Sequence, residues 1–121
     1  MRALVIDDSR AMRTILSRLM QGLGYDVEAV GDGAEALDAV RRGPRPDVAL
    51  VDWNMPVMDG LEFVTRVRKV PEWRDITLMM VTTESEHGQI VRALAAGAHE
   101  YVIKPFSPDD IADKLRLLGL A

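Results

Sequence analysis

The sequence predicts an α/β protein, a doubly wound parallel sheet of five strands flanked by five helices. Three observations predict it. Short apolar runs alternate with amphipathic stretches five times along 121 residues, the pattern of strands joined by crossover helices. The first, third and fourth runs are apolar throughout, as strands covered on both faces must be. Polar residues then appear abruptly where the runs stop.

Ala3–Ile6 reads as the first strand. Ser9 caps a helix in which Met12, Ile15, Leu16, Leu19 and Met20 share one face, and Gly22 and Gly24 end it. Asp26–Val30 alternates polar and apolar residues, the mark of a half-exposed edge strand. Asp32-Gly33-Ala34-Glu35 resembles a capping box opening a helix through Val40, which Gly43-Pro44 stops. Val48–Val51 is the third strand, and a helix follows from Gly60 to Lys69, ending before Pro71. Ile76–Val81 is the fourth strand, with a helix from Gly88 to Ala96 closed by Gly97. Tyr101–Ile103 is the last strand. Ser107-Pro108-Asp109-Asp110 supplies an N-cap, a first-turn proline and first-turn acids for a helix to Leu118. The order 2-1-3-4-5 fits these central and edge assignments. No linker, repeat or low-complexity segment divides the chain, so residues 1–121 are expected to form one domain.

Composition narrows the function. The formal charge is −4 and no long basic patch is visible, which argues against direct nucleic-acid binding. No apolar run is long enough to span a membrane. Asp7-Asp8 interrupts the apolar N-terminus at once, so that run is a strand and not a signal peptide. The absence of cysteine removes disulfides and thiolate metal sites and is compatible with a reducing cytoplasm.

The chemistry concentrates at the strand ends. The first strand ends in Asp7-Asp8, the third in Asp52 with Asn54 two residues on, the fourth in Thr82-Thr83-Glu84, and the fifth in Lys104-Pro105. In an open parallel sheet these ends share one edge and converge on one crevice. Three aspartates and one lysine leave that crevice two negative charges in excess, which calls for a cation. Mg²⁺ suits it, being hard, oxygen-seeking and content with one or two carboxylates. Calcium lacks its loop spacing here, and zinc lacks ligands because His87 and His99 fall in different segments. A carboxylate beside such a metal is a nucleophile toward phosphorus. The metal, the Lys104 ammonium and the Thr82 hydroxyl can then each take a phosphoryl oxygen. Taken singly, an Asp at a strand end is ordinarily a turn residue, a Thr there a cap, and Lys-Pro means little. Their joint occurrence at four strand ends carries the reading.

These residues fall in Val5-Ile6-Asp7-Asp8-Ser9, Leu50-Val51-Asp52-Trp53-Asn54-Met55-Pro56, Met58-Asp59-Gly60, Val81-Thr82 and Tyr101-Val102-Ile103-Lys104-Pro105-Phe106. On them the whole chain resembles the receiver domain of response regulators, specifically the stand-alone CheY-like members with their flavodoxin-like fold. That family is itself the standard example of the 2-1-3-4-5 order. The resemblance implies that Asp52 is the phosphoacceptor. It implies Mg²⁺ on Asp8, Asp52 and the Asn54 carbonyl, with Asp7 acting through water. Lys104 would pair with the phosphoryl group and, before that, with the carboxylate. Thr82 would move onto the phosphoryl oxygen, and Tyr101 would turn inward with it. A cis Lys104-Pro105 bond is also implied.

The resemblance further implies a histidine kinase or a small phosphodonor as the source, self-catalysed phosphorylation and hydrolysis without being a conventional enzyme, a monomer, and the cytoplasm. Output would leave through the fourth helix, fifth strand and fifth helix, with Gln89, Arg92, Tyr101, Asp113 and Lys114 as candidates. A flagellar motor switch protein is the expected target and a phosphatase a further partner. A phosphate sink, a shuttle between kinases, or a receiver excised from a longer regulator are the alternatives. The resemblance also places Asn54 and Glu84 at positions that tune phosphoryl lifetime in that family. Thr83 departs from the small residue usual after the switch threonine, and its bulk is expected to slow attack by water or a phosphatase.

Other residues have plainer readings. Trp53 is a packing residue and optical reporter, Trp73 packs in a loop, Met79 and Met80 are core, Met55 and Met58 shape the loop, and His99 is an exposed loop residue. Functions of other classes fit less well. A flavin phosphate would be repelled by Asp7-Asp8. An aspartyl-phosphate phosphatase would need a D-x-D motif and a cap domain. The complete Asp, Thr and Lys set argues against a silent binding module.

Overall fold

The computed structural model describes residues 1–121. Its elements are β1 Arg2–Ile6, α1 Arg10–Gly22, β2 Asp26–Val30, α2 Gly33–Arg42, β3 Val48–Val51, α3 Gly60–Arg68, a short 3-10 turn Pro71–Trp73, β4 Thr77–Thr82, α4 His87–Ala96, β5 Glu100–Ile103 and α5 Pro108–Leu117. The strands form one parallel sheet in the order β2-β1-β3-β4-β5. Ile6 pairs with Val51, Val51 with Met80, and Thr82 with Ile103. The C-terminal ends of the three middle strands and β5 therefore lie along one edge.

Strand side chains alternate between faces, and two apolar layers result. Leu4, Ile6, Ala49, Val51, Leu78 and Met80 face the layer containing Phe63, Val64 and Val67 of α3. Ala3, Val5, Val48, Leu50, Met79 and Val81 face the layer of Leu16, Met20, Ile111 and Leu115 from α1 and α5. All four residues of β3 are buried, as the continuous apolar run requires, whereas β2 is buried only at Val30.

The helix starts follow from side-chain caps. The Ser9 hydroxyl accepts from the Met12 N–H at 3.2 Å, and the Asp59 carboxylate accepts from the Glu62 N–H at 2.9 Å. Asp32 caps α2 through the Glu35 N–H, but the return bond from Glu35 is not made, so only half of the expected box exists. The reciprocal box occurs instead at Ser107 and Asp110.

One strand end differs from expectation, and two side chains show more than the apolar pattern does. Strand β4 runs one residue later, so Thr82 ends the strand rather than following it and is fully buried. Ile15 is 50% exposed. It lines a groove of about 600 Å³ between α1 and α5 with Leu19, Leu23, Phe106 and Ala112, so the apolar stripe of α1 is wider than the surface that covers it. His99 is exposed but not idle. Its Nδ1 accepts from the Leu78 N–H at 3.1 Å and lies 3.0 Å from the Arg68 guanidinium. The Lys104-Pro105 peptide is cis as expected, and so is Gly43-Pro44.

Candidate functional site

The sheet edge delivers the acidic residues together. Asp7 follows β1 and Asp52 follows β3, and the Asp52 N–H bonds the Ile6 carbonyl at 2.9 Å, which locks the two strand ends side by side. Oxygens of Asp7, Asp8 and Asp52 all lie within 4.8 Å of one another. Asp7 is 1% exposed and Asp52 9%, while Asp8 is open to solvent.

Each carboxylate is held differently. Asp7 Oδ1 accepts from the Ser9 N–H at 2.9 Å and Oδ2 from Lys104 Nζ at 2.8 Å. Arg13 donates to the Asp7 carbonyl at 2.7 Å, a contact that sequence patterning did not suggest. Asp52 Oδ1 accepts from the Trp53 N–H at 2.8 Å, and its Oδ2 lies 3.5 Å from Lys104 Nζ. Lys104 therefore spans both buried aspartates, with its closer contact at Asp7 rather than at Asp52. Burial pushes the Asp52 carboxyl above the usual carboxylate range. The Thr82 hydroxyl, Lys104 and the Trp53 N–H draw it back, and the Asp7 charge adds to the rise.

The loop after β3 is packed tightly beneath this cluster. Gly60 donates to the Trp53 carbonyl at 2.8 Å, and a Cβ at Gly60 would meet the Asp52 carbonyl at 2.2 Å. Only glycine allows α3 to begin so close to the acidic residues.

Of the remaining predicted residues, Thr82, Asn54, Thr83 and Glu84 sit at the adjoining strand end and loops, while the candidates for the partner face lie on α4, β5 and α5. The Thr82 hydroxyl accepts from the Glu84 N–H at 3.4 Å. Asn54 donates to the Glu84 carboxylate at 2.9 Å, bridging the loops after β3 and β4. Thr83 stands exposed beside that bridge. Tyr101 is buried, with its hydroxyl donating to the Glu84 carbonyl at 2.7 Å, so it already points inward and offers little surface. Burial, then the Glu84 and Asp52 charges, raise its phenol. Gln89 and Arg92 lie on α4 and bond each other at 3.0 Å. On α5, Lys114 pairs with Glu100 at 3.2 Å and Asp113 with Arg116.

The donor set fits a hard divalent cation. Its three carboxylates face a single ammonium, so charge is left over, and every ligand atom is oxygen. Asp7 already has both oxygens bonded, which leaves Asp8 and the outer oxygen of Asp52 as the freer donors.

Comparison with known proteins agrees with this geometry. The profile of the response regulator receiver domain matches residues 3–116. A chemotaxis protein CheY homolog of Campylobacter jejuni is 40% identical over 116 residues, 95% of this chain and 89% of that protein. The chemotaxis response regulator CheY4 of Vibrio cholerae superposes with a TM-score of 0.88 at 37% identity, covering 97% of each chain. The response regulator protein TrrA of Thermotoga maritima, solved in complex with Mg²⁺-BeF, superposes with a TM-score of 0.84 at 32% identity, again over 97% of each chain. With Asp7, Asp8, Asp52, Thr82 and Lys104 gathered at the carboxyl edge of a 2-1-3-4-5 sheet, the chain belongs to the response regulator receiver domain family.

Proposed function

We propose that the protein accepts a phosphoryl group on Asp52 with Mg²⁺ and thereby switches a partner-binding face, in the manner of a chemotaxis response regulator. The observation that carries this reading is the placement of Lys104 across two buried aspartates, beside the open Asp8.

Asp8, Asp52 and the Asn54 carbonyl would hold Mg²⁺, with Asp7 assisting through water. When bound, the ion neutralises charge between the attacking carboxylate and the phosphoryl oxygens. The chain's own residues supply the rest. The Trp53 N–H fixes Oδ1 of Asp52, so the outer oxygen is the nucleophile. It attacks phosphorus as the bond to the donor breaks, from a phosphohistidine nitrogen or from the leaving oxygen of a small phosphodonor. The product is an acyl phosphate. Lys104 moves its charge from carboxylate to phosphoryl oxygen, and Thr82 donates its hydroxyl to another. Hydrolysis returns phosphate and the free carboxylate. Thr83 and the Asn54–Glu84 bridge flank the path of the attacking water and set the lifetime.

The phosphodonor is a histidine kinase and the compartment the cytoplasm. The target is a flagellar motor component, engaged through α4, β5 and α5 at Gln89, Arg92, Asp113 and Lys114, with the buried Tyr101 supporting that face from within, and the protein works as a monomer. The chemotaxis names of its relatives and the Mg²⁺-BeF complex of TrrA support this choice. The test is intact mass after incubation with acetyl phosphate and Mg²⁺. One phosphoryl mass is expected on the wild type, and none without Mg²⁺ or on Asp52→Asn. Equal labelling of Asp52→Asn would end the assignment.

A further inference from the structure

The guanidinium of Arg92, on α4, lies 6.0 Å from the centroid of the Trp53 ring, within reach of a cation–π attraction. Trp53 is pinned from the other side. Its N–H holds Asp52 Oδ1 and its carbonyl receives the Gly60 N–H. Trp53 is 6% exposed and packs in the same layer as Phe63, Ala93 and Tyr101. The ring that Arg92 faces and the backbone N–H that holds Asp52 Oδ1 therefore belong to one tightly held residue.

The other end of the contact is lightly held. Helix α4 buries only Ala93, whereas α2 buries five residues and α5 three. Its N-cap residue, Glu86, makes no side-chain cap bond, and its first turn carries no acidic residue. A helix with so few anchors takes a large share of its positional preference from any single contact. Arg92 is oriented for this one by Gln89, whose side-chain oxygen receives its N–H at 3.0 Å.

We propose that Arg92 is a positioning residue that couples α4 to Asp52 through the Trp53 ring, so that occupancy of Asp52 and the placement of α4 bias each other. The inference rests on the phosphoreceiver reading. It predicts a sign. The contact coexists here with the Trp53 N–H on Oδ1 of Asp52, which leaves the outer oxygen for the phosphoryl group. Losing the contact therefore weakens the phosphoryl-bound state. Coupling is reciprocal, so the effect is readable at the acidic site without any partner protein.

The experiment uses the whole chain with beryllofluoride and Mg²⁺ as the phosphoryl probe. Affinity is measured by calorimetry, with amide exchange across residues 87–96 followed in the free and bound forms. Salt is held at 0.5 M, where the bare charge of an exposed side chain is screened. Arg92→Ala is expected to weaken beryllofluoride binding about two- to fivefold. It should also shrink the binding-induced change in α4 exchange, while thermal stability stays near that of wild type. Arg92→Lys should fall between the two, and the Arg92→Ala effect should diminish in a Trp53→Phe background, which keeps a ring in the core. Unchanged affinity and exchange in Arg92→Ala would reduce the contact to surface packing and overturn the coupling. An effect of equal size in the Trp53→Phe background would remove Trp53 as the carrier. If wild type binds no beryllofluoride at all, the phosphoreceiver reading itself falls and takes the coupling with it.

Discussion

Lys104 Nζ lies 2.8 Å from Asp7 Oδ2, closer than the 3.5 Å that separates it from Asp52 Oδ2. The lysine thus stabilises the fold as well as facing the proposed phosphoacceptor. Asp7 and Asp52 are both buried, and removing their shared cation leaves two uncompensated carboxylates. Lys104→Met is expected to lower stability by about 3 kcal/mol without Mg²⁺, the scale for breaking a buried pair from one side. Mg²⁺ should restore part of the loss by supplying charge at the same place. Urea unfolding with and without Mg²⁺ measures both effects.

Asp52 makes the opposite case. Its folded pKa is raised by burial, so above that value ionisation costs stability, and below the unfolded value the cost is absent. Near neutral pH the carboxylate is therefore a liability to the fold. Asp52→Asn should be more stable than wild type, by on the order of 1 kcal/mol, in metal-free buffer. Mg²⁺ stabilises whichever protein binds it, by about 2.7 kcal/mol at a hundredfold excess over its Kd. Adding it should narrow or reverse the gap, because Asn is the poorer ligand. A variant less stable than wild type without metal would contradict this account.

Much of this arrangement is legible in the sequence, for reasons specific to the residues. Val48–Val51 is continuously apolar because β3 is covered on both faces, and Asp32, Asp59 and Ser107 announce helix starts through local bonds. Asp7, Asp52 and Thr82 converge because parallel strands put their ends on one edge. Contacts between distant side chains leave no such local trace. Nothing in the spacing of Arg13 and Asp7, of Asn54 and Glu84, or of Trp53 and Arg92 shows that they meet. Ile15 belongs to the apolar face that periodicity marks, but periodicity does not say how much of that face a neighbour covers, and half of Ile15 stays open.

The Arg68 guanidinium shows what long-range pairing adds. It donates to the carbonyls of Gly97, Ile76, Trp73 and Arg74 and meets His99 Nδ1, tying α3 to the turns before β4 and β5. Arg68→Ala should cost about 2 to 3 kcal/mol, since several part-buried acceptors lose their donor together. Arg68→Lys should rescue little, because one ammonium cannot span the fork. His99 adds a pH dependence. Burial, then Arg68, lower its pKa below 6.5. Its contribution is therefore complete above 6.5 and lost as pH falls through the lower folded value. A His99→Asn variant, which keeps an acceptor, should lose less stability than wild type between pH 7 and pH 5. Parallel urea midpoints across that range would reveal it, and identical slopes would exclude it.

Val57 occupies the left-handed region at φ 67 and is 83% exposed, in the loop between Asp52 and α3. A β-branched side chain is strained there and gains no burial in return. Val57→Gly or Val57→Asn is expected to raise stability by roughly 1 kcal/mol. The gain should appear as a higher urea midpoint with an unchanged slope. A loss of stability would mean that the side chain makes a contact worth more than the strain.

Phosphoryl lifetime is where Thr83 enters. Its side chain stands exposed at the rim, next to the Asn54–Glu84 bond that links the two loops flanking Asp52. In the proposed reaction, water attacking the acyl phosphate would approach past these groups, and added bulk there would lower the fraction of productive approaches. Thr83→Ala should therefore lose its phosphoryl group faster than wild type, by about two- to tenfold, equivalent to at most ~1.4 kcal/mol of barrier. Glu84→Ala, which opens the bridge, should act in the same direction. Decay of the labelled protein after removal of acetyl phosphate gives the rate directly. If Thr83→Ala decays no faster than wild type while Glu84→Ala does, the bridge rather than the threonine controls access.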